Sequence, residues 1–429
     1  MLSHRAECSW VLLLVLITTP LAHAGTWIVD DDGGAGVHFT TLQAAMDAAA
    51  PGDQILVFGG TYASSVMSEG LALVALPGEV VTIAQGLGSA LLTIRDIPSG
   101  QTATVIGLGV DGVLVQDCLG DVVLDEVDMG PRVGSSSLRV HDTTLLTVSR
   151  STIVGHNELL PVIFIAGERG MEVLRSTVVV SQSTIQGGRG GADDISAIGN
   201  GLPGYPGLDS RSSTLIVQTT NIQGGWGGDA FDDGGPGTFG DAGDGAPAVQ
   251  LDLVMLDLFG DAGNLIRGGR AGTTEFGNPG SHASAMSATN SAVTYGGVSF
   301  DVGSGTPVFE GGAFSPAAGP VPTLTADGGV MGASVEMALQ GPPSAAYFVW
   351  ASPAAAIVPV GATAGAFLLD ASLLLTVDTG TLDGSGAAAT SVPLPVVPGL
   401  EGVPIHLQAG LLLQPLGKAL STSAALVLR

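Results

Sequence analysis

The chain has 429 residues, of which 66 are glycine, with 5% aromatic and 12% charged side chains and a formal charge of −26. That acidity leaves no basic patch for nucleic acid or an anionic membrane surface. Abundant glycine with few aromatics favours short, tightly stacked strands over helices.

In chain order, the first element is a secretion signal. His4 and Arg5 precede an apolar run from Val11 to Ile17, and Ala22-His23-Ala24 forms a small-x-small cleavage site. The run is too short to span a bilayer, and no later run is long and uniform enough to do so. Residues 1–24 are therefore expected to be removed, giving a secreted or cell-surface protein. Cys8 leaves with the signal, and Cys118 then stands alone as a small buried residue with no disulfide partner.

Thr26 to Tyr62 reads as a strand, a short helix and a second strand. Thr40 is the expected N-cap, with Gln43 completing a capping box. Leu42, Ala45, Met46 and Ala49 share one helical face, and Pro51-Gly52 stops the helix. A helix placed there suits the covering of a solenoid's open end, whose unpaired edge would invite aggregation.

This segment resembles the opening of right-handed parallel β-helix proteins of the pectin-lyase-like superfamily. The matching residues are Asp32-Gly33-Gly34, Phe39-Thr40-Thr41-Leu42-Gln43-Ala44-Ala45, Ala48-Ala49, Pro51-Gly52-Asp53, Ile55-Leu56-Val57 and Gly60-Thr61-Tyr62. Gly70-Leu71-Ala72-Leu73-Val74 fits the next strand. The resemblance implies the fold and no single activity, because that superfamily includes lyases, hydrolases, esterases, tail-spikes and adhesins.

From Val80 the chain continues as short apolar strands, among them Leu91 to Ile94, Ala103 to Ile106, Gly112 to Val115 and Val122 to Leu124. One phrase returns: Ser176 to Gly191 (STVVVSQSTIQGGRGG) and Ser213 to Gly228 (STLIVQTTNIQGGWGG) are near copies. Val148 to Gly155 and Ile266 to Gly272 are shorter echoes. The anchoring Ile153, Ile185, Ile222 and Ile266 are 32, 37 and 44 residues apart. A constant strand with a variable insert describes a solenoid whose coils are fixed inside and free to loop outside. Roughly eight to eleven coils are expected from repeat length. Ser183, Thr220 and Asn264 are placed to form a polar ladder at one turn.

Three inserts, Gly187 to Ser210, Gly224 to Pro247 and Gly268 to about His282, follow the same strand and should leave from one face. Their Gly, Asp and Pro content cannot build an apolar core, which predicts flexible or extended loops. No triplet is sustained, which excludes a collagen helix. A composition shift near Ser315 to Pro322 marks a linker. The alternating strands beyond it, such as Ser334 to Leu339 and Ile405 to Leu413, read as a β-sandwich. The predicted organisation is signal 1–24, β-helix 25–312, linker 313–323 and sandwich 324–429.

No complete catalytic motif is present. Asp193-Asp194 has the paired aspartates of a β-helix polygalacturonase without that family's other signatures. No Gly-x-Ser-x-Gly elbow appears, and His38, His141, His156, His282 and His406 lack metal-ligand spacing. Gly224 to Asp232 matches one calcium nonapeptide, a site that needs consecutive copies. A looser calcium site could draw on Asp229, Asp232, Asp233, Asp241 and Asp244, since oxygen-rich loops suit that ion. Trp226 and Tyr205 are candidate platforms for sugar rings. Arg139, Arg169, Arg175, Arg189, Arg211, Arg267 and Arg270 supply the cations a lyase would need, without a stated partner. The leading expectation is a non-enzymatic display protein with a Gly/Asp-rich face for glycan, calcium or partner binding. The alternative is a polysaccharide lyase or glycoside hydrolase acting on a polyuronate-like polymer. A cluster of Arg and two or more Asp in one groove on adjacent coils would favour the enzyme, and a groove lined by Ser, Thr and Gly alone would favour display.

Overall fold

The computed structural model describes residues 25–84, 91–131, 134–157, 167–191, 198–232, 240–260, 263–274, 277–304, 306–317, 322–353, 355–358, 367–369, 373–394, 396, 403–413 and 417–428. The signal segment 1–24 lies outside them. Strands pair in parallel from coil to coil, in an 18-stranded sheet and a nine-stranded sheet among the described residues. The first holds two faces of a parallel β-helix and the second holds the third face.

One coil shows the plan. Val249–Asp252 lies on the first face, Leu253 turns the corner, Met255–Phe259 forms the second face and Leu265–Arg267 the third. On the second face, ten successive pairings run from Thr26–Val29 to the rung at Ala313 to Pro316. Inward Val, Ile and Leu stack along the axis into one core, each burial stabilising by roughly 1.5–3 kcal/mol. The repeated isoleucines are consecutive rungs of the third face, Ile153 on Ile185, Ile222 and Ile266.

The corners carry their own ladders. Asp96, Asp117, Asp142, Arg175, Ser212, Leu253 and Asn290 all have positive φ at the turn from first to second face. The next residue is apolar at Ile97 and Val254 and small at the other corners, and Ser176, Ser213 and Ser291 each cap the coil before. Ser176 Oγ accepts from Thr143 N at 3.1 Å and donates to Leu174 O at 2.8 Å. Cys118 fills the equivalent place, buried, with Sγ 3.3 Å from Gln116 O. At the second corner the Ser183 and Thr220 part of the expected ladder forms, with Ser151 as a further member. Ser151 N donates to Ser183 Oγ at 3.1 Å and Ser183 N to Thr220 Oγ1 at 3.4 Å. Asn264 follows one coil on, nearly buried.

The N-terminal helix is Leu42–Ala48, and its N-cap is Thr41, not Thr40; Thr41 accepts from Ala44 N at 3.3 Å. The expected capping box does not form, because Gln43 is used elsewhere. Its Oε1 accepts from Val66 N at 2.7 Å and its amide donates to Asp47 at 2.8 Å. The helix is thereby tied to the first-face strand Ser65–Met67.

The glycine-rich inserts are extended, and among the described residues they are not loose. Outgoing stretches (187–191, 224–229, 268–273) form one layer and returning stretches (200–206, 240–247, 277–283) a second. Gly201 and Gly204 donate to Asp241 O and Asp244 O, both at 2.8 Å, and Gly225 and Gly228 donate to Tyr205 O and Leu202 O, both at 2.8 Å. Gly269 and Gly272 donate to Ala246 O at 2.7 Å and Gly243 O at 2.9 Å. Each register advances by three residues, the period of a polyproline II helix, where a strand would advance by two. That helix makes no internal hydrogen bonds, so its amides turn to neighbouring segments. A Cβ on Gly188 would stand 1.8 Å from His156 O, and one on Gly225 1.9 Å from Gly188 O. Glycine is thus required for the reason it is required in collagen, with the helices laid side by side in two layers instead of wound as a rope.

After the last rung, Phe309–Pro316, come a three-stranded sheet (Thr323–Asp327, Ser334–Gln340, Ala387–Pro393) and a four-stranded sheet (Ala346–Ser352, Leu375–Thr381, Pro404–Leu413, Gly417–Val427). Both are antiparallel and share a core that includes Leu324, Met337, Val349, Leu407 and Leu411. This sandwich folds back onto the β-helix. Leu368 packs on Leu145, Val179 and Ile216, which point outward from the second face. Gln218 Oε1 accepts from Ser423 N at 2.6 Å and Oγ at 2.8 Å.

Candidate functional site

On the first face, alternation turns Leu138, Met171 and Leu208 inward and leaves Arg139, Glu172 and Asp209 outward. These three are in register on consecutive coils. Two carboxylates opposite one another on adjacent strands repel, and arginines offset this. Arg169 Nε lies 2.6 Å from Asp209 Oδ2 and Arg211 Nη2 lies 3.6 Å from it. Asp209 is only 3% exposed. Burial raises its pKa, Glu172 adds to the rise, and the two arginines oppose it. Two nearby ring and guanidinium nitrogens, His141 Nε2 and Arg139 Nε, are buried without a hydrogen-bond partner among the described residues. A patch with three arginines can grip a carboxylate or hydroxyls, and an aspartate held toward its neutral form can give up a proton. Sequence reasoning named these cations without placing them, because 33 and 37 residues separate Arg139, Glu172 and Asp209. The outward position of a charge within each apolar strand was the available signal.

The second candidate surface is the glycine array. Asp229 pairs with Arg189 and accepts from both N and Oγ1 of Thr273 at 2.8 Å. Those bonds and Arg189 lower its pKa against the opposing effect of desolvation, the largest single influence. Asp241 Oδ1 accepts from Asn278 N and Nδ2 at 2.9 Å, and Asp244 Oδ1 from Ser281 N at 2.6 Å. Each of these acids bonds to the next coil. Asp241 and Asp244 are one three-fold turn apart, roughly 9 Å by the helix rise. Asp232 belongs to a short strand pairing with Ile198, and Asp233 lies outside the described residues, as do Asp193 and Asp194. No group of three or more His, Cys, Asp or Glu able to hold a metal occurs among the described residues.

The two candidate aromatics stand on different layers. Trp226, on the outgoing layer, is 41% exposed with the Arg270 guanidinium 5.5 Å from its ring centroid. Gly190 N donates to Trp226 O and Gly227 N to Arg270 O, both at 2.9 Å, so Arg189, Trp226 and Arg270 form a row, one per coil. Tyr205, on the returning layer, is half-buried against Gly167.

No protein family matches the chain, and no curated protein matches it. Among solved structures, pectate lyase Pel9A aligns at 11% identity and a TM-score of 0.31, over 68% of this chain and 78% of that one. Full-length tailspike protein 2 from Escherichia coli O157:H7 bacteriophage CAB120 aligns at 10% identity and a TM-score of 0.28, over 90% of this chain and 60% of that one.

Proposed function

We propose that this is an exported β-helix protein that binds glycan without cleaving it, presenting the row Arg189, Trp226 and Arg270 on the glycine array. The carrying observation is the exposed Trp226 ring on a hydrogen-bonded platform, with the Arg270 guanidinium over one face and the other face available for a sugar. An aromatic face accepts the apolar face of a sugar ring, flanking guanidinium groups meet its hydroxyls, and a rigid platform loses little entropy on binding. The strong net acidity favours a neutral polymer over a polyuronate. The test is affinity electrophoresis across a polysaccharide panel, with reducing-end release measured in parallel, with and without calcium. Retardation by a neutral polymer, lost in Trp226→Ala and unaccompanied by release, supports the proposal. Retardation unchanged in Trp226→Ala overturns it.

A second reading, a polysaccharide lyase or hydrolase, is favoured by the Arg139, Glu172 and Asp209 column with Arg169 and Arg211. In it Asp209 handles the proton and the arginines neutralise an acidic sugar. Reducing ends released by the protein and abolished in Asp209→Asn would establish it. Calcium dependence of that release would bring Asp229, Asp241 and Asp244 into the site.

A further inference from the structure

Where the sandwich folds back, a cleft of about 520 Å³ separates its three-stranded sheet from the second corner of the β-helix. Arg150 and Gln182 line one wall and Thr325, Asp327, Glu336, Ala338 and Ala389 the other. The sandwich wall is a lattice of two rows. Thr325, Ala338 and Ala389 are cross-strand neighbours, as are Asp327, Glu336 and Ser391. The first row is a flat floor of methyl groups. The second is an edge of acceptors, with Glu336 Oε1 accepting from Ser391 Oγ at 2.6 Å. On the opposite wall Gln182 Oε1 is buried with no hydrogen-bond partner among the described residues, a costly state for an amide oxygen. Arg150 beside it is fixed by Asp125, with Nε 3.0 Å from Oδ1.

We propose that this interdomain cleft binds a small neutral sugar. Its volume falls in the range of small-molecule sites, which concentrate at domain junctions. An apolar floor edged by acceptors matches a pyranose, which has an apolar face and a rim of hydroxyl donors. Gln182, on the facing wall, stands beside that rim of hydroxyls, and its side-chain amide can bond them once it rotates out of its buried, unpartnered position. The acid edge disfavours anionic sugars. The site is independent of the Trp226 row, which lies on the glycine array.

Isothermal titration of the purified protein with glucose, galactose and N-acetylglucosamine, and separately with calcium chloride, tests this. The expected result is saturable binding of at least one sugar, weakened about tenfold or more in Gln182→Ala and in Ala338→Leu and retained in Trp226→Ala. Ala338 is on the outer face of its sheet, so leucine there fills the cleft without entering the sandwich core; an unchanged melting temperature checks this. Absence of binding to all three sugars, or binding unaffected by Ala338→Leu, overturns the proposal. Calcium binding that Glu336→Gln abolishes, with no sugar signal, would replace the sugar with a cation.

Discussion

The backbone of Gly225 passes so close to the carbonyl of Gly188 that an added Cβ would lie 1.9 Å from its oxygen. The contact joins consecutive outgoing stretches and cannot be relieved by a rotamer change, because both atoms belong to the main chain or are rigidly fixed to it. Gly225→Ala should therefore destabilise the protein by about 1–3 kcal/mol or more, the cost of overpacking a close-packed site. Gly384→Ala, where a Cβ meets nothing within 4 Å, is the control and should be close to neutral. Chemical denaturation of both variants checks this; equal midpoints would contradict the packed array.

Leu253 has φ of +56° and is 58% exposed. The matching corner in other coils holds Asp96, Asp117, Asp142, Arg175, Ser212 or Asn290, of which Asp and Asn tolerate the left-handed region better than leucine. Leu253→Asn should stabilise by about 1 kcal/mol, since it relieves that conformation at a side chain that is more than half exposed. A rise in melting temperature is the expected reading, and a fall would show that the leucine makes a contact worth more than its strain.

Asp125 is fully buried and receives Arg150, Ser149 Oγ at 2.8 Å and no solvent. Asp125→Ala would leave the largely buried Arg150 with Glu126 at 3.4 Å as its remaining ion-pair partner and Asp327 as a further acidic neighbour. Breaking a buried pair on one side costs about 3–5 kcal/mol, and Glu126 should hold the loss near the lower end. The midpoint of urea unfolding measures it. Because Arg150 also walls the cleft, the variant should weaken any sugar bound there.

His406 is buried in the sandwich, and burial lowers its pKa to about 4 from 6.5. The folded value lies below the unfolded one, so the neutral imidazole contributes stability that is complete above pH 6.5. That contribution is lost as pH falls toward 4, by on the order of 3 kcal/mol in full. Sandwich unfolding followed by urea titration between pH 7 and pH 4 should show this slope, and His406→Leu should flatten it. An unaltered slope in the variant would assign the pH dependence to other groups.

Period-two alternation marked the inward Val, Ile and Leu of each rung, and the recurring phrase marked Ile153, Ile185, Ile222 and Ile266 as one stack, because coil length is written locally. Ser183 and Thr220 of the second-corner ladder were equally legible, since each hydroxyl bonds a carbonyl two residues back, as Ser183 does with Ser181 at 2.7 Å. The three-fold glycine array was not. Whether Gly225 must be glycine depends on the carbonyl of Gly188 in the preceding coil, and composition cannot say which carbonyl will be there. The outward column of Arg139, Glu172 and Asp209 and the docking of Ser423 onto Gln218, 205 residues away, were settled the same way. A strand's alternation tells which side chains turn out, whereas which of them meet is decided by how many residues each insert spends before the chain returns to the same face.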